Sequence, residues 1–164
     1  MNPASSETTF AIRPYRPADF ELLWQIDQQC FLPGIAYTQL DLTGFITRRN
    51  AITLVADVEE RAESAAAPKR IAGFVVAQPS RGIGRILTLD VAPQARRMGL
   101  ATRLMEETEQ RLRARGCREI YLETAVSNEA AIRLYHKLGY TILRTLPEYY
   151  SSHSLDAFLL GKLL

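Results

Sequence analysis

Cysteine is scarce in this chain of 164 residues: only Cys30 and Cys117 occur, and they stand at no paired spacing. That excludes a disulfide framework and fits a reducing, cytoplasmic setting. The two histidines, His136 and His153, complete the soft ligands, and no spacing among the four suits zinc, so no metal is expected. Long apolar runs are missing, so no membrane partner or span is expected. The opening residues Met1 to Glu7 lack the basic-then-apolar order of a secretory leader. An excess of one charge is missing too. Twenty basic against eighteen acidic residues leave a formal charge of +2, too little for a nucleic-acid or membrane-surface protein. The basic stretch 96–118 lacks the interleaved aromatics of a single-strand binder. No repeat occurs at any period. Ser151-Ser152-His153-Ser154 with Asp156 is a cluster by adjacency, and adjacency is not catalytic-triad geometry.

What is present is one domain's worth of chain, 47% hydrophobic and 23% charged, with residues 1–8 expected as a flexible tail and 9–164 as a single domain. A first strand is expected at Thr9–Arg13. Pro17 fits a first helical turn, and Phe20, Leu23, Trp24 and Asp27 follow at helical spacing, with Leu23 and Trp24 facing the core. The helix breaks at Cys30–Tyr37. Thr38, with Asp41 three residues on, caps a second helix over 39–49, closed by Asn50. Strands are expected at Ala51–Val58 and Arg70–Gln78, joined by a solvated loop over 59–69. Gly82-Ile83-Gly84 reads as the turn into a fourth strand, Arg85–Val91. Ala101, Leu104, Met105, Thr108 and Leu112 make an apolar helical stripe ended by Gly116. A strand at Ile120–Thr124, a short helix from the Asn128 cap to Lys137 ended by Gly139, and strands near 140–145 and 154–162 complete the chain. The order predicts a mixed α/β domain with a six- to seven-stranded sheet.

The segment that carries most chemistry is Leu89 to Thr102. A strand runs into a loop holding Arg96 and Arg97, and Gly99 then opens a long helix with no acidic residue before Glu106. A helix start offers unpaired N–H groups and partial positive charge, which suits a phosphate; an ordinary helix start with two solvated arginines is the alternative. Downstream, Asn128, Ala131 and Tyr135 fall on one helix face, whereas Ala130, Leu134 and Leu138 are expected to point into the core.

Arg96-x-x-Gly99-x-Ala101 resembles the R/Q-x-x-G-x-G/A signature of the GNAT N-acetyltransferases, which holds the pyrophosphate of acetyl-CoA. Asn128 to Tyr140 is similar to that family's later N-x-x-A-x-x-L-Y-x-x-L-G-F block. The resemblance implies the GNAT fold, with about four helices and a mostly antiparallel sheet, and an acetyl-CoA site at Val91, Arg96, Arg97, Met98, Gly99, Leu100, Ala101, Thr102, Asn128, Ala131 and Tyr135. Within the family the chain end looks most like the ribosomal-protein-alanine and protein N-terminal acetyltransferases. That implies Glu123 as general base and Tyr135 as general acid. Phe31, Leu32, Pro33 and Tyr37, with Tyr149 and Tyr150 on a loop between the last strands, would flank the amine. Two departures bear on the substrate: Thr124-Ala125 stands where these relatives carry Val-Arg, and Phe31 to Tyr37 lacks their Pro-Trp. The implied partner is a peptide or protein N-terminus, with a small-molecule amine or a non-catalytic acetyl-CoA sensor as rivals, and the chain as monomer or homodimer.

Overall fold

The computed structural model describes residues 8–59 and 70–164. The expected tail over 1–8 and the loop over 59–69 therefore lie almost wholly outside the described residues. In chain order the elements are β1 (Thr9–Pro14), α1 (Phe20–Cys30), α2 (Gln39–Ile46), β2 (Ile52–Glu59), β3 (Ile71–Ser80), β4 (Ile83–Val91), α3 (Leu100–Ala114), β5 (Glu119–Ala125), α4 (Glu129–Lys137), β6 (Thr141–Tyr150) and β7 (Leu155–Leu163). Single 3-10 turns stand at Pro17–Asp19, Pro93–Ala95 and Ser151–His153.

All seven strands form one sheet in the order β1-β2-β3-β4-β5-β7-β6. Every pairing is antiparallel except β4 with β5, which run parallel. That exception positions the site. The two strands pair only from Ile83 with Glu119 to Arg85 with Tyr121, so beyond Arg85 the ladder between them is open. Facing it, β4 carries a register shift against β3 between Val76 and Ala77, the kind of irregularity that bends a strand and re-aims its side chains.

Two apolar clusters lie on opposite sheet faces. One packs Leu100, Leu104, Met105 and Leu112 of α3 and Tyr135 of α4 against Ile52, Leu54 and Ala56 of β2. The other packs Leu23 and Ile26 of α1 and Leu42 and Ile46 of α2 against Val55, Phe74 and Val76. Strands β2 and β3 are therefore buried on both sides, which explains their nearly unbroken apolar runs.

The cap chemistry acts as expected. Thr38 Oγ1 accepts from Asp41 N at 3.1 Å and Asn128 Oδ1 from Ala131 N at 3.2 Å. Gly116 N–H reaches Arg113 O and Cys117 N–H reaches Leu112 O, closing α3 with a left-handed glycine at φ +81°. Helix α2 stops at Ile46, three residues early, because Arg48 to Ala51 form a turn closed by Ala51 N–H on Arg48 O with Asn50 at φ +68°. The packing departs from expectation at Trp24 and Ala130, and it buries one acid besides. Trp24 is only partly buried, and Ile26 and Asp27 join Leu23 in the core face of α1. Ala130 is exposed; the buried face of α4 is Tyr135, flanked by Ala131, Leu134 and Leu138. Glu109 lies in the buried stripe of α3, taking Tyr140 Oη–H at 2.9 Å and Lys162 Nζ at 2.8 Å.

Candidate active site

The turn before α3 follows from two left-handed residues. Arg97 has φ +63° and Gly99, the N-cap, φ +74°. The first helical bond runs from Arg103 N–H to Gly99 O, so the N–H groups of Leu100, Ala101 and Thr102 have no acceptor within the helix. A Cβ on Gly99 would meet nothing of the protein within 4 Å, so the glycine is required by its backbone conformation and leaves open space above it. No acidic residue occupies the first turn. Arg97 and Met98 are exposed, while the Leu100 side chain is core, so Leu100 can offer a ligand only its backbone. Arg96 is exposed but not idle. Its Nε donates to Val91 O at 3.2 Å and its Nη2 to Cys30 Sγ at 3.6 Å, folding the guanidinium back on the end of β4.

Glu123 stands on β5 two residues beyond the last β4–β5 pair, on the same strand face as Tyr121. Arg85, the last paired residue of β4, reaches diagonally across the opening and donates to Glu123 Oε1. Burial pushes the Glu123 carboxyl above its ordinary value, and the Arg85 charge pulls it partly back. Burial first, and then the Glu123 charge, push the Tyr149 phenol above its ordinary value, and Arg85 pulls it partly back. Tyr149 and Tyr150 sit edge to face at 5.0 Å. They are not on a loop. They end β6, where a register shift between Leu146 and Tyr150 and a left-handed Glu148 (φ +50°) turn the strand. Burial pushes the Tyr150 phenol up to about 12, with Tyr149 and Glu123 adding to it.

On α4, Tyr135 is buried, edge to face with Tyr140 at 5.7 Å. Burial raises its phenol well above the ordinary value, and the nearby charges of Asp90 and Tyr150 act in the same direction. Ala131 is partly buried beside it, whereas the Asn128 side chain is exposed and serves as the helix cap. Between α1 and α2, Tyr37 donates its hydroxyl to Leu87 O on β4 at 3.0 Å and packs edge to face on Phe45. Phe31 is partly buried; Leu32 and Pro33 are exposed. The structure joins this loop to the β6–β7 turn. His153 Nε2 lies 2.7 Å from Pro33 O, and Ser152 Oγ donates to Gly34 O at 3.3 Å.

Of the residues the sequence singled out, Glu123 meets Arg85 at the open end of the β4–β5 ladder, Tyr149 and Tyr150 pack on each other, and the loop carrying Pro33 is tied to the β6–β7 turn. Sequence reasoning missed Arg85, the His153 and Ser152 clasp, and the burial of Asp27 and Asp90. Only the strand register brings Arg85 to Glu123. Asp27, a carboxylate in an apolar helical stripe, was the one visible signal. Among the described residues no group of three His, Cys, Asp or Glu side chains is placed to hold a metal, and no helix is long and apolar enough to cross a membrane.

Comparison with known proteins adds the following. A family model described as the acetyltransferase (GNAT) family matches residues 18–140. An uncharacterised N-acetyltransferase of Methanocaldococcus jannaschii is 28% identical over 92% of this chain and 90% of its own length. An N-alpha-acetyltransferase of Sulfurisphaera tokodaii is 36% identical over 48% of this chain, a match that spans 47% of that relative. The solved structure of Arabidopsis thaliana NAA60 in complex with acetyl-CoA superposes with a TM-score of 0.81, at 24% identity, over 95% of this chain and 99% of that one.

Proposed function

Because the chain belongs to the acetyltransferase (GNAT) family and is an acyl-transfer enzyme, we propose that it moves the acetyl group of acetyl-CoA onto the α-amine of a protein or peptide N-terminus. The observation that carries this reading is the opening between β4 and β5 beyond Arg85, with Glu123 on its β5 side. The pyrophosphate would lie on the N–H groups of the Gly99–Thr102 turn, with Arg96 and Arg97 adding charge. The α4 residues Asn128, Ala131 and Tyr135 would lie along the pantetheine arm. These are the residues that would hold acetyl-CoA, and its thioester supplies the acyl group.

An amine attacks only as the free base. At pH 7 an α-amine of pKa about 7.8 gives up roughly 1 kcal/mol to deprotonate, and a lysine of about 10.4 roughly 5 kcal/mol. Glu123, directly or through water, takes that proton; its burial makes it a better base than an exposed carboxylate. The amine nitrogen bonds the carbonyl carbon and the carbon–sulfur bond breaks. The nitrogen then loses its surplus proton to solvent, and Tyr135 gives its proton to the thiolate and regains one from solvent, so that one proton is released overall. Burial keeps that phenol protonated until it is needed.

The amine side favours a peptide. Phe31, Tyr37, Tyr149 and Tyr150 offer stacking surface and hydroxyls without demanding a charged side chain. Leu32 and Pro33 form the exposed rim. The charge of Glu123 is already offset by Arg85, which disfavours a polyamine. The match to an N-alpha-acetyltransferase supports the same reading. The enzyme is read as cytoplasmic, acting as a monomer or homodimer. The test is to present acetyl-CoA with peptides of varied first residues, an N-terminally blocked peptide with a free lysine, spermidine and an aminoglycoside. The α-amine peptides should be acetylated fastest, and Tyr149→Ala and Phe31→Ala should raise KM for them without weakening acetyl-CoA binding. Faster turnover of spermidine or the aminoglycoside than of every peptide overturns the substrate assignment.

A further inference from the structure

Two carboxylates that the proposed reaction does not use lie side by side beneath the amine side of the site. Asp27 on α1 is fully buried and Asp90 on β4 is 1% exposed; α1 packs against β4, and each carboxyl group acts on the titration of the other. Their oxygens divide cleanly. Asp27 Oδ2 accepts from Tyr37 N–H at 2.8 Å and from the Gln28 amide at 3.1 Å. Asp90 Oδ1 accepts from the Thr88 hydroxyl at 2.6 Å. The remaining two, Asp27 Oδ1 and Asp90 Oδ2, have no donor among the described residues.

An ionised carboxylate only accepts hydrogen bonds, and a buried acceptor with no donor is costly. Two such acceptors acting on each other, each also charged, are worse still. One proton placed between them supplies the missing donor to both and leaves a single negative charge. The groups facing that charge fit it. From the turn before α3, Arg96 is the cation that acts on Asp90. The Cys30 thiol at the end of α1 is pushed up to about 11 by burial and by Asp90. The phenols of Tyr37 and of Tyr135 on α4 are raised by burial first and also by Asp90. None of these three adds a second charge near neutral pH.

We propose that Asp27 and Asp90 share one proton, and that this bond ties the α1–α2 loop, through Tyr37 N–H, to the β4 strand beside the acyl group. The two are positioning residues for the amine. The loop's role rests on the α-amine reading above; the shared proton does not. Above about pH 5 an unfolded chain holds neither proton, whereas the folded pair holds one. The folded pair keeps its proton above the unfolded value, so its contribution is complete at low pH and is lost as pH rises through the folded value. The unfolding constant therefore gains a factor of about ten per pH unit until the pair gives up that proton.

The test compares wild type, Asp90→Asn and Asp90→Ala. The Asn amide donates to Asp27 permanently, so urea denaturation from pH 5 to 8 should lack that tenfold-per-unit component in Asp90→Asn. The wild-type-minus-Asn infrared difference should show a protonated carboxyl at pH 7. In steady-state assays Asp90→Ala should raise the peptide KM about tenfold with acetyl-CoA affinity unchanged, and Asp90→Asn should recover most of it. Parallel pH–stability curves for wild type and Asp90→Asn overturn the shared proton, and need no Ala variant that folds. A shared proton with unaltered peptide KM in Asp90→Ala overturns the positioning role. Wild type that acetylates no peptide sinks the α-amine reading alone and leaves the stability curves to decide the pair.

Discussion

Gly99 and Gly116 stand at opposite ends of α3 in almost the same backbone state, φ +74° and +81°, and a Cβ at either would meet no protein atom within 4 Å or only open space. Replacing either by alanine therefore imposes the same left-handed penalty, about 1–2 kcal/mol, with no added clash. For a chain of this size each variant should lose roughly 2–8 °C in Tm without ligand. Their responses to acetyl-CoA should differ. A ligand at 100 times its Kd stabilises the fold by about 2.7 kcal/mol. At Gly99 the new methyl occupies the open space over the helix N-terminus, the place proposed for the pyrophosphate. A tenfold loss of affinity there would reduce the stabilisation at the same concentration to about 1.4 kcal/mol. Gly116→Ala, at the far end of a 15-residue helix, should keep all of it. Thermal shift with and without acetyl-CoA, backed by calorimetry, reads both quantities. Equal ligand-induced shifts in the two variants would refute the placement of the pyrophosphate at this turn.

Tyr135→Phe should lower kcat at least tenfold while acetyl-CoA affinity stays within twofold, measured by steady-state kinetics and calorimetry; an unchanged kcat returns Tyr135 to packing alone. Arg85→Gln removes the charge that pulls the Glu123 carboxyl down. Since the base must be ionised, the acid limb of the kcat/KM profile should move to higher pH; a limb that stays put, or moves down, removes Glu123 from the proton transfer. Glu109→Ala leaves the buried Tyr140 hydroxyl and the mostly buried Lys162 without their acceptor. It should cost about 2–4 kcal/mol in urea denaturation with kcat preserved; a loss under 1 kcal/mol contradicts that accounting.

Much of the fold was legible because its signals are local. Thr38, Asn128, Gly116 and Gly139 cap or end helices by bonds that span at most a few residues, and these stand where the sequence places them. The strands read clearly where burial is continuous, as in β2 and β3. Strand β6 was read short because it is the sheet's edge, exposed along most of its length, so no apolar alternation marks its second half. The turn at Gly99 was legible for the same local reason: its glycine, its arginines and its lack of acid all lie within seven residues.

What only the tertiary structure decided is every pairing across elements. Arg85 and Glu123 are 38 residues apart, and they meet because β4 and β5 pair in parallel for three residues and no further. His153 finds Pro33 across 120 residues because β6 and β7 turn back toward the α1–α2 loop. Asp27 looked like one carboxylate on a helical stripe and Asp90 like one on a strand. Helix α1 packs on the face of β4 that Asp90 shares, and their shared burial turns two ordinary acids into an interacting pair. Local propensity acts over a turn of chain, so sequence determined the elements and the glycine turn before α3. Charge state and proton position depend on what burial brings within a few ångströms, and that is set only when the sheet and helices close on one another.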